Sequence, residues 1–418
     1  MELNSAAAPE TLEVANCLDA VKRAVLGLVG CARVYCISIP RSASVSVKVN
    51  TARQAWLQMQ SAVELHENLR QFYGFRDELR SAYTSEGAAL ARTVAGAPES
   101  EAEVGISRAK SAAMSTLHQA QIAASHELFA PIRISLDRAF VSLDAEWSTP
   151  RERYLPEVLQ TSQALDACLQ SVRGPIESIL DPAFDQAASP DEAGNPPFDG
   201  EPTDTLRFLW TLAAREGMAS DLAALNSAEY DNMPIAYYED FVKQTWDEAR
   251  HCNFYLGILP EVYEILKDQI PEGAPERLSI ERFLQEGIGL EIPYEGTCYT
   301  SIWNASLEER LVLMNLRTEG PSISTKRKRM QGFLCSAIPR LRLGIAIDAC
   351  EERNHAAYGA RWLRYLHPEP RERRDQIECA DSLRGFLMAT TLAGRRNIAT
   401  SLVMEELLNV SLTGLAPV

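Results

Sequence analysis

The chain has 418 residues and a formal net charge of −16 at pH 7, and 46% of its residues are hydrophobic. These values are typical of a globular protein that is long enough for two domains, and they argue against a disordered chain. The negative charge opposes sequence-independent binding to nucleic acid, which depends on neutralising phosphates with Lys and Arg, so we do not expect nucleic acid as a partner.

The cysteines and the apolar segments indicate the compartment. Nine cysteines without a Cys-x-x-Cys pair favour a reducing environment. The apolar run 24–39 is interrupted by Arg33 and is too short to cross a bilayer, so it predicts a buried helix. Residues Met1–Glu13 are acidic and small, unlike a signal peptide. We therefore expect a cytoplasmic protein without a membrane segment.

Residues 1–182 are predicted to form an N-terminal helical domain. Helical periodicity extends over three segments, which are 61–83, 109–140 and 155–180. Pro131 is expected to kink or divide the second of them, because proline disrupts a helix interior. The alternating residues 44–50 predict either one short strand or an extended connector.

Residues 183–203 are rich in Pro, Gly and Asp and are predicted to be a linker. Residues 204–418 are predicted to form an all-α four-helix bundle followed by further C-terminal helices. The four bundle helices are predicted at 204–229, 235–257, 306–320 and 337–366. The turn 231–234, the long connection 258–304 with short helices at 261–267 and 280–286, and the C-terminal helices 380–393 and 400–412 complete the prediction. The third bundle helix is expected to end or kink at Gly320-Pro321.

Two of the six histidines have a glutamate three residues before them, and each pair has another glutamate upstream at a nearly equal interval. The first set is Glu216, Glu248 and His251, and the second set is Glu319, Glu352 and His355. Positions i and i+3 share one face of a helix. Four helices could therefore direct four carboxylates and two imidazoles to one point, which is the ligand set of a dimetal-carboxylate bundle. The alternative is that each glutamate pairs with a buried arginine such as Arg250 or Arg317, which explains one glutamate well and four poorly.

The segment 238–251 resembles the second helix of ferritin-like, non-haem di-iron carboxylate proteins. The segments 316–321 and 351–363 are similar to a bacterial ferritin-like branch near the tRNA-hydroxylating di-iron monooxygenases. The resemblance covers roughly residues 203–365 and implies a ferritin-like four-helix bundle with two Fe ions, or Mn or a mixed Mn/Fe pair. It implies that the two sets of residues above are the metal ligands.

The sequence departs from the pattern of this family at two places. The second motif has Glu351 where the first has Asp247, and the segment at Glu216 reads Ala-Arg-Glu-Gly without the expected preceding His-Glu. If Glu216 is not a ligand, Glu229 or Asp221 would be its substitute.

Beyond the ligands, Asp247 or Asp348 is expected to orient an imidazole across the bundle, the alternative being that either faces solvent. The basic run 326–329 is expected to be a solvated helix face or loop, with contact to an anionic substrate as the alternative.

The favoured function is a di-iron oxygenase or oxidase that activates O₂ to oxidise a small organic substrate. Its support is a full ligand set within a chain longer than a single ferritin bundle. A ferroxidase or iron-handling protein and a non-catalytic ferritin-like scaffold are the alternatives. An electron donor and a homodimer are compatible with the favoured function.

Overall fold

A computed structural model describes residues 9–41, 45–75, 79–81, 99–125, 129–144, 201–274, 277–278, 280–281, 302 and 305–394. These residues are predominantly helical, which confirms the predicted all-α class. The chain divides into two compact units. Unit 1 comprises Met1–Ile292 and Ser324–Glu351, and unit 2 comprises Pro293–Ile323 and Glu352–Val418.

Unit 1 contains the N-terminal helices and the first two helices of the predicted bundle. In chain order these are α1 (Pro9–Ser38), α2 (Val45–Tyr73), α3 (Glu99–Ala123), α4 (Ala130–Asp144), α5 (Pro202–Glu229) and α6 (Ile235–Leu266). Short 3-10 turns follow α1 and α6 at Ile39–Arg41 and Lys267–Gln269. Two residue pairs form a small antiparallel ladder, with β1 (Arg80–Ser81) beside β2 (Met233–Pro234).

The prediction of a strand or connector at 44–50 was wrong, because α2 begins at Val45. The buried residues Lys48, Thr51, Ala52 and Ala55 recur at helical spacing. The local alternation is therefore the start of a longer helical pattern that continues through the rest of α2.

Proline has the predicted effect between α3 and α4 but not within α6. Pro131 lies in the first turn of α4, where proline is well tolerated, and it divides the predicted 109–140 segment. The second bundle helix was predicted to end at residue 257, but α6 continues through Pro260 to Leu266. The short helix predicted at 261–267 is therefore the last part of α6.

The predicted linker does not separate the two compact units, since unit 1 contains residues from both sides of it. Buried polar contacts explain the difference. The guanidinium of Arg33 in α1 donates to the carbonyl oxygens of Ser227 and Ala228 at the end of α5, at 3.0 and 3.1 Å. Lys48 in α2 forms a buried ion pair with Asp221 in α5, with 2.6 Å between Nζ and Oδ2. Residues 183–200, and the helices predicted at 155–180 and 400–412, lie outside the described residues, as do residues 282–286 of the helix predicted at 280–286.

The second half of the chain continues with a helix of mixed winding. In order come α7 (Leu307–Arg310), a π-helical segment (Leu311–Glu319), α8 (Gly320–Met330), α9 (Phe333–Ala337), α10 (Pro339–Leu366) and α11 (Pro370–Gly394). The predicted end or kink at Gly320-Pro321 is instead a change from π to α winding within continuous helix. The helix predicted at 380–393 is the second half of α11.

Within unit 2, polar contacts fix the π-helical segment. Ser306 accepts a hydrogen bond from the backbone of Glu309 in a capping box that begins α7. The guanidinium of Arg317 binds both carboxylate oxygens of Asp381 on α11, at 2.8 and 2.6 Å. Gly359 must be a glycine at its close approach, because a Cβ there would lie 2.4 Å from Cβ of Asn315.

None of the described helices combines the length and the apolar character that crossing a membrane requires.

Candidate metal centre

The first triad consists of Glu216 from α5 and Glu248 and His251 from α6. One ligand atom of each residue lies within 4.8 Å of those of the others. His251 Nδ1 is 3.2 Å from Glu248 Oε2 and 3.8 Å from Glu216 Oε2. All three side chains are buried. The i, i+3 spacing on α6 therefore directs a carboxylate and an imidazole to the same point, where α5 adds a second carboxylate.

The second triad consists of Glu319, at the end of the π-helical segment, and Glu352 and His355 from α10. Their ligand atoms also lie within 4.8 Å of one another, and all three side chains are buried. His355 Nδ1 is 3.2 Å from Glu352 Oε2, the same distance as the corresponding pair of the first triad. The repeat in the sequence thus corresponds to a repeated local geometry.

Burial perturbs the charges of the first triad. Burial raises the pKa of Glu216 to about 8, although Lys326 opposes the shift. Burial alone would lower the pKa of His251, but Asp348 and the carboxylates of Glu216 and Glu248 outweigh it and raise that pKa well above its ordinary value. Buried carboxylates are costly unless a cation compensates them. The donor set of carboxylate oxygen and imidazole nitrogen fits iron or manganese.

Glu351 is the carboxylate that holds the outer nitrogen of His251. His251 Nε2 lies 2.8 Å from Glu351 Oε2, and Glu351 Oε1 accepts a hydrogen bond of 2.7 Å from Arg250. With Nε2–H donating to Glu351, the Nδ1 lone pair is directed at the triad, as in metal-binding histidines whose other nitrogen is held by a carboxylate. Arg250 and His251 keep the pKa of Glu351 below its usual value even though burial would raise it.

The two predicted orienting residues occupy different positions. Asp247 binds Arg250, and Arg250 in turn binds Glu351, so Asp247 supports Glu351 through that arginine. Asp348 Oδ1 lies on the other side of the imidazole, 3.3 Å from Nδ1 of His251. The sequence contains a signal for Glu351 that our prediction did not use: it stands four residues before His355, as Asp247 stands four residues before His251.

The alternatives considered for Glu216 lie elsewhere. Asp221 is buried in its ion pair with Lys48, and Glu229 is exposed at the end of α5. The arginines predicted as partners of the glutamates bind other carboxylates: Arg317 binds Asp381, and Arg250 binds Asp247 and Glu351. The guanidinium nitrogens lie 2.6 Å from Asp381 Oδ2 for Arg317 and 2.7 Å from Glu351 Oε1 for Arg250.

The basic run 326–329 is buried except for Lys328, so the prediction of a solvated face was wrong for the other three residues. Lys326 reaches the first triad, and its Nζ lies 2.5 Å from Asp348 Oδ1 and 3.5 Å from Glu216 Oε1. Arg329 lies over the ring of Phe208, with 4.3 Å from the guanidinium carbon to the ring centroid. Hydrophobic patterning could not reveal this burial, because the carboxylate beside Lys326 and the ring beside Arg329 are tertiary contacts.

The π-helical segment that ends at Glu319 was not predicted. The hydroxyl of Thr318 donates to the carbonyl oxygen of Leu313, five residues earlier, at 2.8 Å. Asn315 Nδ2 donates to the backbone oxygen of His355 at 2.9 Å. π-Helical turns are frequent at functional sites because they redirect side chains.

Comparison with known proteins found no matching family model, no matching curated protein and no matching solved structure. The candidate site is therefore defined by its own geometry: two groups of buried Glu and His residues that could hold metal.

Proposed function

We propose that the chain is a ferritin-like dimetal-carboxylate protein that binds two Fe ions and activates O₂ to oxidise a small organic substrate. The two triads are the proposed ligands, with Glu216, Glu248 and His251 supplying one half of the centre and Glu319, Glu352 and His355 the other. The observation that carries the proposal is the pair of buried triads, each with two carboxylates and one imidazole.

The assignment of both triads to one centre is supported by the sequence repeat. In each set a glutamate is followed 32 or 33 residues later by Glu-x-x-His, so the two sets supply equivalent side chains. Four glutamates would offset the charge of two divalent ions, which gives a net neutral buried centre and explains why the protein tolerates so many buried carboxylates.

Several residues of the chain support the centre without binding metal themselves. Glu351 fixes the ring orientation of His251 and keeps its Nδ1 available. Asn315 binds the backbone at His355 and thereby ties the π-helical segment to α10. The burial of all six ligands excludes bulk water from their surroundings. When bound, two ferrous ions would supply the electrons with which O₂ is activated.

The proposal is tested by metal content and by reaction with O₂. The metal-free protein is reconstituted anaerobically with Fe²⁺, and elemental analysis is expected to give about two ions per chain. A folded sample with less than about half an ion per chain would contradict the dimetal proposal. The loaded protein is then mixed with O₂ in a stopped-flow spectrometer.

The reaction with O₂ distinguishes the three functional classes. An oxidase or oxygenase is expected to react rapidly and to turn over only with an organic substrate. Catalytic conversion of added Fe²⁺ into mineral would favour iron handling. A loaded protein that does not react over minutes would favour a scaffold.

A further inference from the structure

Lys326 is a buried cation beside the first triad, and it has two carboxylates within reach. Only 2% of its side chain is exposed. Its Nζ lies 2.5 Å from Asp348 Oδ1 but 3.5 Å from Glu216 Oε1. The shorter contact is a hydrogen-bonded ion pair, whereas the longer one is at the limit of hydrogen bonding. Of these two carboxylates, Asp348 is therefore the closer partner of Lys326.

Asp348 is itself fixed in place. Its Oδ2 accepts a hydrogen bond from the hydroxyl of Tyr255, a fully buried side chain of α6. Its Oδ1 accepts a hydrogen bond from Lys326, and the same oxygen lies 3.3 Å from Nδ1 of His251. The carboxylate thus lies between the lysine and the nitrogen that we assign to metal binding.

An ammonium group and a divalent metal ion compete for the same carboxylate, because both require its negative charge. Lysine is a compact charge on a flexible stem with three donors, so it can turn from one acceptor to a neighbouring one. If Asp348 lost its charge, the nearest carboxylate for Lys326 among the contacts of unit 1 described above would be Glu216. A direct ion pair there would oppose metal binding by Glu216.

Building on the dimetal function proposed above, we propose that Asp348 is a positioning residue that retains Lys326 and thereby leaves Glu216 available to the metal. The relation is reciprocal, since Lys326 neutralises Asp348 and keeps it from acting as a further ligand beside His251. The pair therefore sets both the affinity and the ligand number of this half of the centre.

Variants of the pair test the proposal through Fe²⁺ affinity, measured by anaerobic equilibrium dialysis. Asp348→Asn is expected to weaken binding about 10- to 100-fold, the range typical of residues that support metal ligands. The double variant Lys326→Met with Asp348→Asn is expected to regain an affinity within about threefold of the unaltered protein, because the competing cation is absent; this margin is well below the expected loss. Lys326→Met alone is expected to bind Fe²⁺ at least as tightly as the unaltered protein.

The buried pair of Lys48 and Asp221 provides a matched control, since it has the same chemistry in the same unit. Asp221→Asn and its double variant with Lys48→Met are expected to bind Fe²⁺ with unchanged affinity. Circular dichroism and thermal unfolding monitor the fold of every variant.

Three results would overturn the inference. They are unchanged Fe²⁺ affinity in Asp348→Asn, a double variant that binds Fe²⁺ as weakly as Asp348→Asn, and weaker Fe²⁺ binding in Lys326→Met. The measurement on Lys326→Met tests the inference even if Asp348→Asn does not fold. Failure of the dimetal function itself has a different outcome, because the unaltered protein and the Asp221→Asn control would then both lack metal.

Discussion

The buried carboxylate of Glu216 should make the metal-free protein less stable as the pH rises. Its pKa is about 8 in the folded protein against an ordinary value of 4.5. A carboxyl group whose folded pKa is raised is preferred in its neutral form, so its contribution to stability is full below about pH 4.5 and is lost as the pH rises through about 8. Because one pKa unit corresponds to about 1.4 kcal/mol, the difference between 4.5 and about 8 makes the loss about 5 kcal/mol.

Replacing Glu216 with Gln removes this titration while retaining size and polarity. Urea unfolding of the chelator-treated protein, repeated at intervals from pH 5 to pH 8, measures the free energy of unfolding at each pH. One pKa unit corresponds to ~1.4 kcal/mol on this scale. The raised pKa of His251 also lowers stability as the pH rises, and Glu216 helps to raise it, so the difference between the two proteins measures Glu216 together with its effect on His251, and both effects have the same sign. We expect the variant to gain stability relative to the unaltered protein across this range. The reasoning would be refuted if the difference in unfolding free energy between the two proteins changed by less than about 1 kcal/mol from pH 5 to pH 8.

Further predictions concern the ligands and their support. Glu248→Ala and His355→Ala belong to different triads, and each is expected to reduce metal to below about half an ion per chain while circular dichroism shows retained helix; Glu229→Ala, an exposed control, should keep full occupancy. Full occupancy in His355→Ala would mean that the triads do not form one centre. Glu351→Gln is expected to weaken Fe²⁺ binding about 10- to 100-fold, measured by dialysis, because the outer nitrogen of His251 loses its charged partner. Unchanged affinity in that variant would show that this contact does not support the ligand.

The features predictable from sequence were those with a local period. The helix class followed from apolar spacing, and the pairs of Glu and His at i, i+3 specified their own juxtaposition on one helix face. The end of α6 and the start of α2 were not predicted correctly, whereas α6 begins at residue 235 as predicted. At the start of α2, apolar and polar residues alternate over a short stretch, as they do in a strand. The helical period becomes apparent only when the buried residues that follow, such as Thr51 and Ala55, are included.

The features missed depend on contacts between distant parts of the chain. Composition favours a domain boundary at the Pro- and Gly-rich segment 183–203, but Arg33 and Lys48 bind α5 within the same compact unit. The burial of Lys326 depends on Asp348, which stands two helices further along the chain. A basic run gives no local indication that a carboxylate will compensate it, so composition favours solvent exposure.

The buried charges of unit 1 differ in the kind of partner they use, and that difference supports a metal-binding role for the first triad. Asp221 is matched by a lysine, and Glu351 is matched by Arg250 within 2.7 Å. Such pairs satisfy a buried carboxylate with a permanent protein cation. Glu248 has an imidazole among its partners, that of His251, a side chain that binds metal when neutral and whose other nitrogen is already held by Glu351. A fold that needed only neutralisation could have used another lysine or arginine, whereas carboxylates grouped around an imidazole nitrogen form a donor set that suits a divalent metal.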